Sequence, residues 1–268
     1  MKEHIIRGSA PLLVITLILS TINDLVAQSS LVGSDNSRFI RIELDKPVFE
    51  NGDDIGFLTL ATFINGQFPV SDNVALIFEL PVAFASFDGE SSTGVGNIGV
   101  GLNVYGQQFS GHFSIGIPTA DDSEAAFAGI FADVTERFNA FNSENVPIKV
   151  YGNLLERPVE GFAYRVRGGF DLTIPTDDFG ETELLFGLTA LAGYAFSGGL
   201  VQAGLSTITI LTEEDLDFSE RVIESIVMSG EFGSGNIVPG VILRIPIDAD
   251  LSDLYNLVVG VSVDFKLN

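Results

Sequence analysis

The chain has 268 residues, no cysteine, two histidines and a formal net charge of −23 at pH 7, yet its mean hydropathy is positive at +0.36. The lack of cysteine excludes disulfides and thiolate chemistry. With only His4 and His112, a zinc site or a histidine-based catalytic triad is poorly supplied, and no Ser-His-Asp set is apparent. We therefore expect no cofactor, no metal site, no nucleic-acid partner and no enzymatic activity.

The N-terminus has the pattern of a secretory signal peptide. Lys2 and Arg7 precede an apolar run from residue 11 to 19, which is too short to span a bilayer as a helix. The letters "LVA" end at Ala27, a plausible last residue before cleavage. We expect residues 1–27 to be a signal peptide and 28–268 to be the mature domain. A buried helix or a membrane anchor is the alternative.

From Phe39 onward apolar residues alternate with a period of two, which is typical of strands. Turn residues divide this region into about twelve predicted strands. They are 39–46, 56–65, 74–85, 95–105, 109–117, 146–155, 161–175, 183–196, 200–211, 221–231, 237–247 and 255–267. Many of these approach the 9–11 residues that a tilted strand needs to cross a bilayer.

The connections between these strands fall into a short set and a longer set that alternate along the chain, as in outer-membrane barrels. The longer set is acidic: it contains 22 of the 36 acidic residues and one base, Arg137. A soluble globule has no reason to sort its charge by loop parity. The sequence therefore predicts an all-β fold, a single transmembrane antiparallel barrel of about 12 strands with short periplasmic turns and longer acidic outer loops.

Aromatic residues near the short turns are expected to form an interfacial girdle, although such residues could also belong to an ordinary core. The segment 161–175 illustrates the two faces. Phe162, Val166 and Phe170 lie on an apolar face that we expect to meet lipid, and Arg165 and Arg167 lie on the opposite face. A sheet in hydrocarbon must close on itself, because every backbone group needs a partner.

Charged residues on the polar faces are the candidates for lining the lumen. They are Glu79, Lys149, Arg165, Arg167, Asp171, Arg244 and Asp264. A structural ladder of ion pairs would satisfy the rule that buried charges must pair or meet water. A cationic constriction that selects anions is the other interpretation.

Residues 121–141 break the β pattern. Phe127, Ile130, Phe131 and Val134 recur at helical spacing, which predicts a short amphipathic helix in the longest outer loop. The helix could pack on the barrel rim. It could also act as a lid or plug that narrows the pore.

Two further motifs give only weak evidence for a binding site. "GVGNIG", from Gly94 to Gly99, matches a dinucleotide fingerprint, but a strand follows it where a helix is required. Its glycines are expected to reduce the side-chain volume on the lumen face or to permit bends in the strand. The acidic loops could bind cations, but they lack the spacing of a calcium-binding loop and solvated loops are the simpler interpretation.

The run "GVGNIGVGLNVYG" followed by "FSIGIPTADD", with the later "TIPTDDFG" and "GYAF", resembles the MetA-pathway of phenol degradation family of outer-membrane proteins, which are FadL-like in kind. The resemblance covers about residues 74–267. Asn97 stands where the family commonly has an acid, Ala120 where it has a glycine, and the C-terminal aromatic lies early, at Phe265. The resemblance implies passage of small, hydrophobic or aromatic compounds and supplies no catalytic residue.

We therefore expect a protein of the cell outer membrane that contacts outer-membrane lipid and acts as a channel or transporter for small, hydrophobic or aromatic molecules. The alternatives are a structural or adhesive surface barrel with a closed lumen, or a soluble secreted β protein.

Overall fold

The computed structural model describes residues 36–49, 59–87, 90–177, 180–213, 217, 220–233 and 235–267. The predicted signal peptide lies outside these residues, as do several acids of the predicted outer loops. The strands are β1 Phe39–Phe49, β2 Leu60–Ser71, β3 Val74–Phe87, β4 Glu90–Val95, β5 Ile98–Tyr105, β6 Phe109–Ile117, β7 Asn145–Glu156, β8 Gly161–Pro175, β9 Glu183–Phe196, β10 Gly199–Ile210, β11 Val222–Phe232, β12 Ile237–Pro246 and β13 Tyr255–Lys266.

The strands form one closed antiparallel barrel. Apart from β4 and β5, described strands that are consecutive in sequence pair with each other, and β1 also pairs with β13, so the sheet closes into a ring. The segments β4 and β5 both pair with β3 and lie end to end, so they count as one interrupted barrel strand. The predicted single barrel of about twelve strands is confirmed.

The strand bounds follow the prediction closely, with two clear exceptions. No strand is predicted between residues 86 and 94, but β4 begins at Glu90. The second predicted strand ends at residue 65, but β2 continues to Ser71. Gly66 lies under the ring of Phe78 on β3, so a Cβ at this position would lie 2.0 Å from that ring. The ring covers the gap that the glycine leaves and allows the strand to continue.

The two faces of the sheet differ as the alternation predicts. On β8 Phe162, Val166 and Phe170 are exposed on the outside, whereas Arg165 and Arg167 are buried on the inside. The rings of Phe162 and Tyr164 lie 6.2 Å apart near the turn end of the barrel. An apolar outer face with a polar interior is the arrangement of a barrel whose outside meets lipid.

Short helices occur only in connections within the described residues. Between β6 and β7 lie α1 (Glu124–Ile130), α2 (Val134–Arg137) and a 3-10 turn (Phe138–Ala140), and α3 (Ala249–Ser252) precedes β13. None of the helices in the described ranges has the length and apolarity needed to cross a membrane.

Candidate functional site in the barrel lumen

The segment from Ser123 to Asn142, which we call the plug, lies inside the barrel. Its first helix α1 begins at Ser123, whose hydroxyl accepts a hydrogen bond from the amide of Ala126 and so caps the helix. Small residues of the plug pack against small residues of the wall, and Phe141 lies 5.9 Å from Phe63 between ring centroids. The plug is thus seated by apolar contacts on β2, β3 and β4.

The glycine-rich motif "GVGNIG" provides part of this seat. A Cβ on Gly94 would lie 2.4 Å from the hydroxyl of Ser123, and a Cβ on Gly96 would lie 2.2 Å from the carbonyl oxygen of Ala140. Asn97 completes the contact, because its amide donates to the carbonyls of Asn139 at 3.0 Å and Asn142 at 2.7 Å. The plug therefore occupies the break between β4 and β5.

Arg137 holds the middle of the plug to one side of the wall. Its guanidinium donates to both carboxylate oxygens of Glu43 on β1, at 2.9 and 3.1 Å, and to Glu79 on β3 at 3.0 Å. It also lies over the ring of Phe63, 4.2 Å from its centroid. Charge-assisted, bidentate bonds of this kind are among the strongest in proteins.

Arg244 on β12 extends the same cluster. It donates to Asp133 at 2.9 Å, to Asp45 at 3.0 Å and to Glu43 at 3.3 Å. The carboxylates of Glu43, Asp45 and Asp133 have oxygens within 4.8 Å of one another, close enough to share a cation. The guanidinium groups of Arg137 and Arg244 supply the positive charge in this cluster.

Glu136 holds the plug to the other side. Its carboxylate lies 3.6 Å from Arg167 on β8 and accepts a hydrogen bond from Thr189 on β9 at 3.1 Å. Arg167 lies 4.0 Å from the ring centroid of Tyr151, and Lys149 donates to the backbone carbonyl of Glu136 at 3.4 Å. One wall of the lumen is therefore mainly acidic and the other mainly basic.

The seven predicted lumen candidates all carry their side chains inside the barrel. Glu79, Arg167 and Arg244 contact the plug as described. Lys149 lies 3.5 Å from Asp171, whereas Arg165 donates to Asn153 at 3.2 Å. Asp264 accepts two bonds from Arg41, at 2.5 and 2.6 Å, nearer the short turns.

The predicted plug residues divide into two groups. Val134 is buried and Ile130 packs against the apolar seat. Phe127 is 65% exposed, and its ring meets Phe131, which in turn contacts Tyr255 across the lumen.

Sequence reasoning missed the residues that connect the plug to the wall. Asp133, Glu136 and Arg137 were counted among the charges of the outer rim, but they are buried inside the barrel. A signal for this existed, because Arg137 is the lone base among the acidic loop residues. Burial raises the pKa of Asp133. Burial also acts to raise the pKa of Glu136, but nearby arginines, led by Arg167, outweigh it and lower that pKa.

A second feature of the lumen is a vestibule of about 480 Å³ on the short-turn side. Its walls include the inward aromatic side chains of Phe39 and Tyr105, together with charged side chains. Arg157 and Glu231 form an ion pair at its mouth. The space below the plug can therefore hold a small molecule with both apolar and polar contacts.

No protein family defined by its sequence matches this chain, and no curated protein matches it. Solved structures do match. An outer membrane channel from Pseudomonas putida F1 is 9% identical and aligns with a TM-score of 0.60, covering 90% of this chain and 100% of the channel. LpxR from Salmonella typhimurium is 10% identical with a TM-score of 0.52, covering 85% of this chain and all of LpxR. The translocator domain of the autotransporter NalP from Neisseria meningitidis is 10% identical, with a TM-score of 0.51 over 97% of this chain and 96% of that domain.

These similarities correct one prediction. The expectation that the chain is not an enzyme, which rested on its composition, is wrong, because the structures that share its fold include an enzyme, LpxR, beside channels. The fold therefore leaves enzymatic activity open.

The proteins that share this fold are outer-membrane barrels, and the outer face of this chain is apolar along its strands. The chain is accordingly a closed twelve-stranded barrel that shares its fold with outer-membrane barrels, and the plug lies inside it.

Proposed function

We propose that this protein is an outer-membrane channel for small molecules and that the plug closes it in the conformation described. The observation that carries the proposal is that the lumen is obstructed by a connecting segment, not by side chains of the wall alone. Barrels of about 8 strands fill with their own side chains, and those of 16–18 hold open pores, so a twelve-stranded barrel has room for such a segment.

The contacts that hold the plug in the lumen are of a kind that can be broken, so the plug can move and open the channel. At the centre of the lumen it is held by ion pairs of Arg137 and Glu136, which water can replace. The wall behind these pairs is polar and charged, so displacement of the plug would expose a surface that water can wet. Apart from β4, which pairs with β3 alone, every described wall strand keeps both of its neighbours without the plug.

The residues that line the vestibule support the proposal that the solutes are small aromatic compounds. The inward side chains of Phe39 and Tyr105 give it aromatic surface, and the ion pair of Arg157 with Glu231 offers polar contacts. Residues 1–27 would direct export as a signal peptide. The motifs "GVGNIGVGLNVYG" and "FSIGIPTADD" support membership of the MetA-pathway of phenol degradation family.

The test is conductance through planar bilayers. Residues 123–142 are replaced by a short Gly-Ser linker, which can connect β6 to β7 because Ile115 and Ile148 are paired neighbours. We expect steady openings in the plug-deleted barrel and rare or small ones in the wild type. Uptake of a small aromatic carboxylate and of a sugar of similar mass into liposomes then tests the solute class.

Folding of both proteins is checked by the mobility of unboiled and boiled samples on SDS gels. A folded, plug-deleted barrel that conducts no better than bare lipid would contradict the channel proposal. It would favour a structural surface barrel with a closed lumen.

A further inference from the structure

A chain of hydrogen bonds inside the barrel orients a serine and a histidine in a way that the proposed channel does not require. The chain starts at Gln67 on β2, whose amide nitrogen donates to the backbone carbonyl of Ser37 at 2.8 Å. This bond fixes the orientation of the amide, so its oxygen faces Asn103 and Tyr105 on β5. Asn103 and Tyr105 both donate to that oxygen, at 3.2 and 2.6 Å.

The orientation of Asn103 then fixes the tautomer of His112. Because the nitrogen of Asn103 donates to Gln67, its Oδ1 is the atom that faces Nδ1 of His112, at 2.9 Å. An acceptor opposite Nδ1 requires the proton to be on Nδ1. Nε2 is then free to accept, and the hydroxyl of Ser114 lies 3.0 Å from it.

The resulting order is serine hydroxyl, imidazole and amide oxygen, which is the arrangement of a nucleophile, a general base and an orienting group. His112 and Ser114 are two residues apart on β6, so both side chains point into the lumen. Both are buried. The sequence offered no sign of this set because its third member is an asparagine on the neighbouring strand.

A second observation points to a ligand at this place. A small cavity of about 40 Å³ is lined by His112, Ser114, Lys149, Asn65 and Asn139. The amide groups of Asn65 on β2 and the Nδ2 of Asn139 in the plug are buried and have no hydrogen-bond partner among the described residues. Buried amide donors of this kind normally have a partner, and here they line the same cavity as the serine.

The vestibule lies next to this cavity, and a ligand can reach the cavity from it. Phe39 on β1 lines both this cavity and the vestibule. Its ring lies 5.7 Å from the guanidinium of Arg41. A rotation of Phe39 would join the two spaces and admit a small molecule from the short-turn side without displacement of the plug.

We propose that Ser114, His112 and Asn103 form an acyl-transfer site that hydrolyses small carboxylic esters entering from the vestibule. Ser114 Oγ attacks the carbonyl carbon of the ester while its proton moves to Nε2 of His112, and the amides of Asn65 and Asn139 bind the carbonyl oxygen as it gains charge. The C–O bond to the alcohol breaks, and the alcohol leaves with the proton from His112. Water then attacks the acyl-serine and gives a proton to His112. The bond from the acyl carbon to Oγ breaks, His112 passes its proton to Oγ, and the acid and the free serine are released.

The test uses the full chain folded in detergent, a small alkyl fluorophosphonate that attaches covalently to activated serines, and p-nitrophenyl acetate. Peptide mass spectrometry of the wild type locates the adduct, so this measurement does not depend on the folding of any variant. We expect a single adduct on Ser114, with hydrolysis of the ester lost once the adduct forms.

Variants then separate the roles of the three residues. His112→Asn should slow labelling about 100-fold or more, which is the usual contribution of a general base. Asn103 is a positioning residue, so Asn103→Ala should slow labelling while Asn103→Asp, which keeps an acceptor for Nδ1, restores it. The labelling rate of the wild type should follow the deprotonation of one group, and this pH profile should vanish in His112→Asn.

Ser206→Ala is the matched control, because Ser206 is also a buried lumen serine but bonds to Thr189 at 2.8 Å. It should leave labelling unchanged. A folded wild type with no adduct, an adduct elsewhere, or equal rates with and without His112 would overturn the proposal. None of these outcomes bears on conductance, so the channel proposal stands or falls separately.

Discussion

Glu136 and Arg137 are adjacent in sequence, yet they bind opposite walls of the barrel. Arg137 contacts Glu43 on β1, and Glu136 lies beside Arg167 on β8. In the closed ring these two strands are six places apart in both directions. The plug thus crosses the lumen at this dipeptide, and each of its charges meets the wall of opposite sign.

Arg137→Ala should release the centre of the plug. It removes the guanidinium that Glu43, Glu79 and Asp133 share and leaves only Arg244 to pair with Glu43 and Asp133. Breaking a buried pair costs about 3–5 kcal/mol. We expect more frequent channel openings in planar bilayers and a lower free energy of unfolding. Arg38→Ala, at an exposed position just before β1, is the control and should change neither quantity. Equal opening frequencies in the two variants would show that Arg137 does not hold the plug closed.

Gly96→Ala should disturb the plug without removing any charge. The new Cβ would lie 2.2 Å from the carbonyl oxygen of Ala140, so the 3-10 turn must move. Overpacking of this kind costs about 1–3 kcal/mol. Hydrogen exchange of the peptide spanning 123–142 should become faster. In Gly111→Ala, where a Cβ would meet nothing within 4 Å, the exchange of that peptide should stay as in the wild type.

Acid should weaken the docking of the plug through Glu136. The pKa of this carboxyl is lower in the docked plug than its ordinary value of 4.5. Its contribution to docking is therefore complete above pH 4.5 and is lost as the pH falls through the lowered pKa. Asp133, whose pKa is raised, takes up its proton at a higher pH, and this protonation relieves a buried charge and does not weaken docking.

The measurement is opening frequency between pH 7 and pH 3. We expect little change down to about pH 5 and an increase below the ordinary carboxyl pKa. Glu136→Gln should open more often at pH 7 and lose the acid-induced increase. An identical acid response in the wild type and in Glu136→Gln would assign the effect to other groups.

A charge on the outer face should destabilise the barrel in a membrane. Phe170 is exposed near the middle of β8, and Phe170→Arg should cost about 2–4 kcal/mol in the free energy of unfolding from liposomes. Val159→Arg, in the turn after β7 where the side chain is 83% exposed, should cost little. If both substitutions cost the same, the outer face of β8 does not lie in hydrocarbon.

Much of the fold was accessible from the sequence because strand alternation is local. Phe162, Arg165 and their neighbours on β8 reveal the two faces through a period of two residues, whatever the distant partners are. Gly66 shows the limit of this approach. A glycine reads as a turn residue until the ring of Phe78 on the next strand is known to cover it, and that contact depends on register.

The lumen charges were predicted as a set but not as pairs. Arg244 and Asp45 lie 199 positions apart in sequence, and only closure of the barrel brings them to 3.0 Å. The same holds for Asn103 and His112, whose pairing depends on the register between β5 and β6.

The sequence alone thus determined the β class, the number of strands, the two faces of each strand and the charge of the loops, because these properties follow from local periodicity and composition. The tertiary structure decided that the plug enters the barrel, that Glu136 and Arg137 meet opposite walls, and that Ser114 lies beside an oriented His112. These relationships depend on which strands become neighbours when the sheet closes, and local sequence carries no record of that closure.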